Sequence, residues 1–312
     1  VTIMGESGGG SKVSHLLATP AAEGLFHKAI IQSGPAVRSG TREKAVETAN
    51  AILAEAGIET EADLRAIPAE ELLTAAREAS KKAGGGAMGG GLQFGPFVDG
   101  VVLPSDPFMP AAPEQSKDIP ILIGTNKDEM TIFMAAQPWF GQLSEGALAM
   151  MAPTFGEHGK ALVEYYKGQM EGETPTYIAI RAMTARFMQG THILASQKAR
   201  QGGAPAYVYW LTYESDANGG ILRAPHTLDI PFMFDNVEES RVLVGSGDGP
   251  VKLGEMMSDA WISFAKTGTP SSPLLPEWQA YTPDDRMVME LNVEPKMVSD
   301  PEKGAREILE AN

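Results

Sequence analysis

The chain opens on Val1-Thr2-Ile3-Met4-Gly5-Glu6-Ser7-Gly8-Gly9-Gly10-Ser11-Lys12-Val13, and the reading of this stretch decides the fold. Val1 to Met4 is a short apolar run that suits a strand, and helical spacing begins shortly after Ser7. Between them, Gly5-Glu6-Ser7-Gly8-Gly9 matches G-x-S-x-G, a pattern that carries chemical meaning only in a strand-to-helix turn. A turn that tight puts the serine in a strained backbone conformation and crowds the positions two residues to either side. Gly5 and Gly9 are expected to relieve that crowding. The Ser7 hydroxyl is then lifted into the open at the C-terminal end of a sheet, where ligands bind in such architectures. The Gly8 N–H stands beside it at a helix N-terminus, placed to meet developing negative charge as half of an oxyanion hole.

A rival pattern overlaps this one, because Gly5 and Gly10 are spaced as in a phosphate-binding loop. That loop needs Lys directly after the second Gly and then Ser or Thr, whereas Ser11 comes first here and Val13 follows Lys12. The register rules against nucleotide binding.

Outward from the turn, the strand candidates are short continuous apolar runs: Val1 to Met4, Ala29 to Ile31, Ile121 to Ile123, Ala206 to Leu211 and Met287 to Leu291. Such runs suit strands buried on both faces. Helical spacing lies between them. From Thr41 to Ala56, Val46, Ala49, Ile52, Leu53 and Ala56 share a face and Gly57 can end the helix. Longer helices are expected from Thr176 to Gln201 and from Val251 to Thr267. The alternation predicts a mostly parallel sheet covered by helices, in a single domain over residues 1–312. Ala83 to Gly91, with six glycines, and Gly245 to Pro250 read as plain connections.

A serine nucleophile needs a base and an acid, here expected in the chain order Ser, then Asp or Glu, then His. Of the five histidines, His15 falls in the helix after the turn, and His27 precedes the next strand, too early to follow a separate acid. His158 sits in a polar turn and reads as exposed, and His192 reads as a helix-face residue. His226 remains, in the loop beyond the strand Ala206 to Leu211. For the acid, Ile121 to Gly124 leads into Thr125-Asn126-Lys127-Asp128-Glu129, two adjacent carboxylates just past a buried strand. Residue chemistry alone does not separate Asp128 from Glu129.

Composition narrows the function classes. The 312 residues are 43% hydrophobic and 21% charged, enough to bury a large core. The formal net charge of −15 repels phosphate backbones, so nucleic acid is not an expected partner. The chain has no cysteine, which removes disulfides, thiolate metal sites and a cysteine nucleophile. No apolar run approaches the length of a membrane span. The first four residues read as a strand in mid-stride, so more chain is expected upstream, and with it any targeting signal; localisation is not read from these residues.

Taken together, these residues resemble the type B carboxylesterases, the group of cholinesterases, bacterial para-nitrobenzyl esterases and related lipases, with the bacterial para-nitrobenzyl type nearest in character. The resemblance rests on Gly5 to Gly9, Gly24 to Gly34, Phe97 to Gly100 with Leu103-Pro104, Gly124 to Glu129, His226 to Phe234, Trp261 to Pro270, and Pro276-Glu277-Trp278. It implies an α/β-hydrolase fold of which this chain is the C-terminal portion. It also implies a serine hydrolase that cleaves small or medium uncharged carboxylic esters through an acyl-enzyme, with no cofactor and no metal. Position by position it makes Ser7 the nucleophile, Glu129 rather than Asp128 the acid, and His226 the base. Asp229 becomes a structural carboxylate, and the other oxyanion donors are expected before Val1. The chain departs from most members in having Gly8 where they have Ala, and from some in having Pro35 where they carry a second serine. Met4, Met130, Met134 and Met233 lie near triad positions and read as core filling rather than an acyl pocket. A non-catalytic binding member of the same fold family is the alternative, against which the intact Ser7, Glu129 and His226 argue.

Overall fold

The computed structural model describes residues 1–84, 92 and 94–311. The glycine-rich stretch read as a connection therefore falls mostly outside the described residues. The chain divides into two compact units: Val1–Ala18, Ala22–Val37 and Pro107–Asn312 form one, and Thr19–Ala21 with Arg38–Asp106 form the other.

The larger unit is built on one six-stranded sheet in the spatial order of the sequence: β1 (Thr2–Glu6), β2 (Lys28–Gln32), β3 (Ile121–Asn126), β4 (Ala206–Leu211), β5 (Met287–Leu291) and β6 (Lys296–Ser299). The first five run parallel, and β6 joins β5 antiparallel. The expected parallel sheet and all five expected strands are present. The alternation of side chains across the pleat explains the unbroken apolar runs. Ile30, Leu122, Tyr207 and Tyr209 point into one core with Met256, Ala260, Trp261 and Phe264 of the helix Gly249–Thr267. Ala29, Ile31, Ile121, Ile123 and Val208 point into another with Val13 and Leu17 of the helix Gly8–Ala18 and Leu194 of the helix Pro175–Arg200. β2, β3 and β4 are buried on both faces, so no polar alternation was available to mark them.

Close packing dictates one of the glycines here. A Cβ on Gly124 would lie 2.3 Å from the Tyr209 ring, so the β3–β4 approach at that rung requires glycine. The helix Gly249–Thr267 ends at the expected Thr267, where Gly268 takes the left-handed conformation that closes it.

In the smaller unit, the helix Arg42–Glu55 is capped by Thr41, whose hydroxyl accepts from the Lys44 N–H. Its predicted apolar face forms, but Ala49, Ile52 and Leu53 line an open hollow of about 450 Å³ with Leu64, Leu72, Leu73, Ala76 and Phe94. Among the described residues no helix is long and apolar enough to cross a membrane.

Candidate active site

The strand-to-helix turn forms where the opening motif predicts it. β1 runs to Glu6, the helix Gly8–Ala18 starts at Gly8, and Ser7 between them takes φ 56°. A left-handed serine is uncommon and persists only where its surroundings hold it. Three contacts do so. The Ser7 N–H donates to the Gln32 carbonyl at 2.8 Å, and the Ser7 carbonyl accepts from the Ser11 N–H at 3.0 Å. The backbone of Gly34 is so close that a Cβ there would lie 1.9 Å from the Ser7 carbonyl oxygen.

The expected roles of the flanking glycines are half right. A Cβ on Gly5 would lie 2.3 Å from the Gly9 carbonyl carbon, so Gly5 is obligatory. A Cβ on Gly9 meets nothing within 4 Å among the described residues; the crowding falls instead on Gly5 and Gly34. The physical reason is direction: Gly5 points at the passing helix, whereas the Gly9 position faces open space.

Glu129 and His226 are brought together. Past β3 the chain turns so that Glu129 is fully buried, with Oε1 accepting from the Asn126 N–H at 2.7 Å and Oε2 lying 2.5 Å from His226 Nδ1. Asp128, its neighbour, turns away: its Oδ2 accepts from the Ala224 N–H at 3.4 Å, and it makes no bond to the imidazole. Burial pushes the carboxyls of both upward, opposed at Glu129 by the His226 hydrogen bond.

His226 lies in a loop beyond β4, between Arg223 and Thr227, both left-handed at φ 55° and 72°. Phe133 and Phe187 flank the imidazole at centroid distances of 5.1 and 5.9 Å. Burial pulls the pKa of His226 down, but the hydrogen bond and charge of Glu129, with Glu6 and Asp229 behind, outweigh it and leave it above the usual histidine value.

On the far side of the ring, Nε2 lies 3.1 Å from Glu6 Oε1 and forms a well-directed hydrogen bond with neither Glu6 nor Ser7 in this arrangement. Burial raises the Glu6 carboxyl to about 7, with the His226 charge opposing and those of Asp229 and Glu129 reinforcing. Glu6 had no assigned role in the sequence; the available signal was an acidic side chain at the end of a strand, directly before the serine of the motif. Asp229, expected as structural, is fully buried and accepts from Gln32 Nε2 at 2.8 Å and the Tyr209 hydroxyl at 2.6 Å.

The other histidines lie apart from this cluster in their bonding. His15 bonds the Ser11 carbonyl one helical turn back, at 2.7 Å. His192 is buried against the Tyr281 hydroxyl at 3.0 Å, and burial lowers its pKa to about 4. His158, expected to be exposed, is half-buried at the start of the helix Gly159–Gln169. Of the methionines, Met134 and Met233 are core residues, whereas Met4 is 41% exposed on β1.

The sequence pattern of the carboxylesterase family matches residues 1–308, nearly the whole chain. The chain belongs to the carboxylesterase family. It is 32% identical to the para-nitrobenzyl esterase of Bacillus subtilis, over 99% of its own length and 62% of that protein's. It is 28% identical to the phenmedipham hydrolase of Pseudarthrobacter oxydans, over 93% of the chain and 58% of that protein. Among solved structures, a carboxylesterase of Geobacillus stearothermophilus superposes with a TM-score of 0.80 at 33% identity, covering 98% of this chain and 63% of the other. The fold is therefore that of the α/β-hydrolases, and the chain spans under two thirds of the length of these relatives.

Proposed function

We propose that this carboxylesterase chain carries the catalytic triad of a serine ester hydrolase, with Ser7 as nucleophile, His226 as base and Glu129 as acid, acting on small or medium uncharged esters. The observation that carries this reading is the buried Glu129–His226 pair at 2.5 Å, held at the same end of the sheet as the left-handed Ser7.

With Nδ1–H donated to Glu129, the neutral imidazole presents its Nε2 lone pair. Ser7 Oγ attacks the ester carbon as Nε2 takes its proton, and the carbonyl oxygen becomes an oxyanion next to the Gly8 N–H at the helix start. Collapse expels the alcohol, which takes the proton back from Nε2, and leaves an acyl-Ser7. A water then repeats the sequence with His226 as base, releasing the acid and restoring Ser7.

Glu6 acts on the charge that develops in this cycle. Burial raises the Glu6 carboxyl, whose oxygen lies 3.1 Å from Nε2, to about 7, and the charge of a protonated His226 opposes that rise. Once Nε2 carries the proton, the same oxygen faces a cation and favours it.

The test is rapid-mix hydrolysis of para-nitrophenyl acetate by the full-length protein. A burst of nitrophenol equal to one equivalent of protein, absent in Ser7→Ala with an unchanged melting temperature, supports the reading; an undiminished burst in Ser7→Ala would refute it.

A further inference from the structure

Asn126 ends β3 and is fully buried, paired across the sheet with Leu211 in a strand that otherwise reads Ile-Leu-Ile-Gly-Thr. A buried amide needs a reason, because each unpaired polar atom there is costly. Its Oδ1 has no hydrogen-bond partner among the described residues, so only the donor half is used. Nδ2 donates to the Pro225 carbonyl at 2.8 Å, one residue before His226.

That bond is one rung of a ladder between the loop of the acid and the loop of the base. The Asp128 N–H donates to the Ala224 carbonyl at 2.9 Å, and the His226 N–H to the Glu129 carbonyl at 3.3 Å. The Ala224 N–H returns to Asp128 Oδ2 at 3.4 Å. The backbone of Asn126 meanwhile holds Glu129 Oε1. One residue thus grips the carboxylate with its main chain and the histidine's loop with its side chain.

The grip is needed because the base loop is strained. Arg223 and Thr227 bracket His226 in left-handed conformations, and a β-branched residue such as Thr227 is disfavoured there. A loop of that kind keeps its shape only if neighbouring contacts over-determine it. Two of the rungs are backbone to backbone and indifferent to side-chain identity; the bond to Pro225 is set by residue 126 being an amide.

We propose that Asn126 is a positioning residue of the triad, fixing the Glu129–His226 contact by tethering the Pro225 carbonyl to the end of β3. The inference rests on the triad reading above. Its test is to replace Asn126 by Leu, which keeps the volume and removes the donor, and by Ser, which is too short to reach Pro225. Steady-state kinetics on para-nitrophenyl butyrate over a pH series and thermal melts are recorded for each full-length variant.

A misplacement on the scale of an ångström lowers kcat by about a hundredfold. The expected result is that fall in kcat with KM unchanged and a cooperative melt. The acid limb of the pH profile should also move to lower pH, because His226 loses part of its hold on Glu129. Three results would each overturn the proposal: a kcat close to that of the parent protein, a fall in kcat with the acid limb unmoved, or failure of both variants to fold, which would assign Asn126 to the fold alone. Labelling of the parent protein with a fluorophosphonate runs alongside. Absence of label on Ser7 would sink the triad reading itself, a result separate from any behaviour of the Asn126 variants.

Discussion

Replacing Glu129 by Gln perturbs the site with almost no change of shape. Two close hydrogen bonds hold the carboxylate of Glu129, both from donors, the Asn126 N–H at 2.7 Å to Oε1 and His226 Nδ1 at 2.5 Å to Oε2, with the Ser33 hydroxyl also beside it. A glutamine brings one acceptor and one NH₂. The Asn126 N–H is a backbone group at the end of a buried strand and has no other state, so the amide oxygen settles on it. The NH₂ then faces Nδ1, which must become the acceptor. The imidazole proton is driven to Nε2, the atom that has to receive the proton of Ser7. A base locked in the wrong tautomer costs about 10⁴ in kcat where an analogous substitution has been made in a serine hydrolase. That corresponds to about 5.5 kcal/mol of barrier. The assay is kcat for para-nitrophenyl butyrate at a pH above the histidine titration, with circular dichroism to verify the fold. Asp128→Asn is the control: it keeps an acceptor for the Ala224 N–H and does not touch the ring, so its kcat should fall less than about tenfold. A Glu129→Gln protein retaining kcat within about tenfold of the parent, or an Asp128→Asn protein equally crippled, would refute the reasoning.

Three further outcomes follow from the geometry. Because His226 must be neutral to accept a proton and its pKa is held above the usual histidine value, kcat/KM should rise with pH through a midpoint above about 6.5. Glu6→Gln removes one of the charges that favour the imidazolium, so the midpoint of that rise should move to lower pH; a midpoint unmoved or raised would contradict the role given to Glu6. Gly34→Ala drives a methyl group to 1.9 Å from the Ser7 carbonyl, so it should destabilise the protein by more than the about 1–3 kcal/mol of ordinary overpacking and depress the melting temperature accordingly.

Much of the sheet was legible because β1 to β5 contain short apolar runs closed by turn residues, most plainly in β2 to β4, which are buried on both faces. β6 was not. Lys-Met-Val-Ser is short and half polar, and it pairs antiparallel at an edge, where no burial demands a pattern. The strand-to-helix turn was legible down to Gly5, because its chemistry is local. The role of Gly34 was not, since it depends on an approach between β2 and the turn that no local pattern records.

The same divide runs through the candidate site. Asp128 and Glu129 are chemically equivalent in the sequence, and only the turn after β3 sends one to Ala224 and the other to His226. Asn126 stood in the quoted motif without a role, because its partner Pro225 is brought to it by the β3–β4 pairing and the loop beyond. Glu6 occupied the variable position of the G-x-S-x-G pattern. Its importance comes from desolvation and from an imidazole delivered by a distant loop, neither of which spacing can encode.

The most direct test of the account is to treat the full-length protein with diethyl para-nitrophenyl phosphate and map the modified residue by peptide mass spectrometry. A working triad predicts a single diethylphosphoryl group on Ser7, formed in step with the loss of ester hydrolysis and much more slowly in His226→Gln. Stoichiometric inactivation with the group on any other residue, or full activity after Ser7 has been modified, would contradict it.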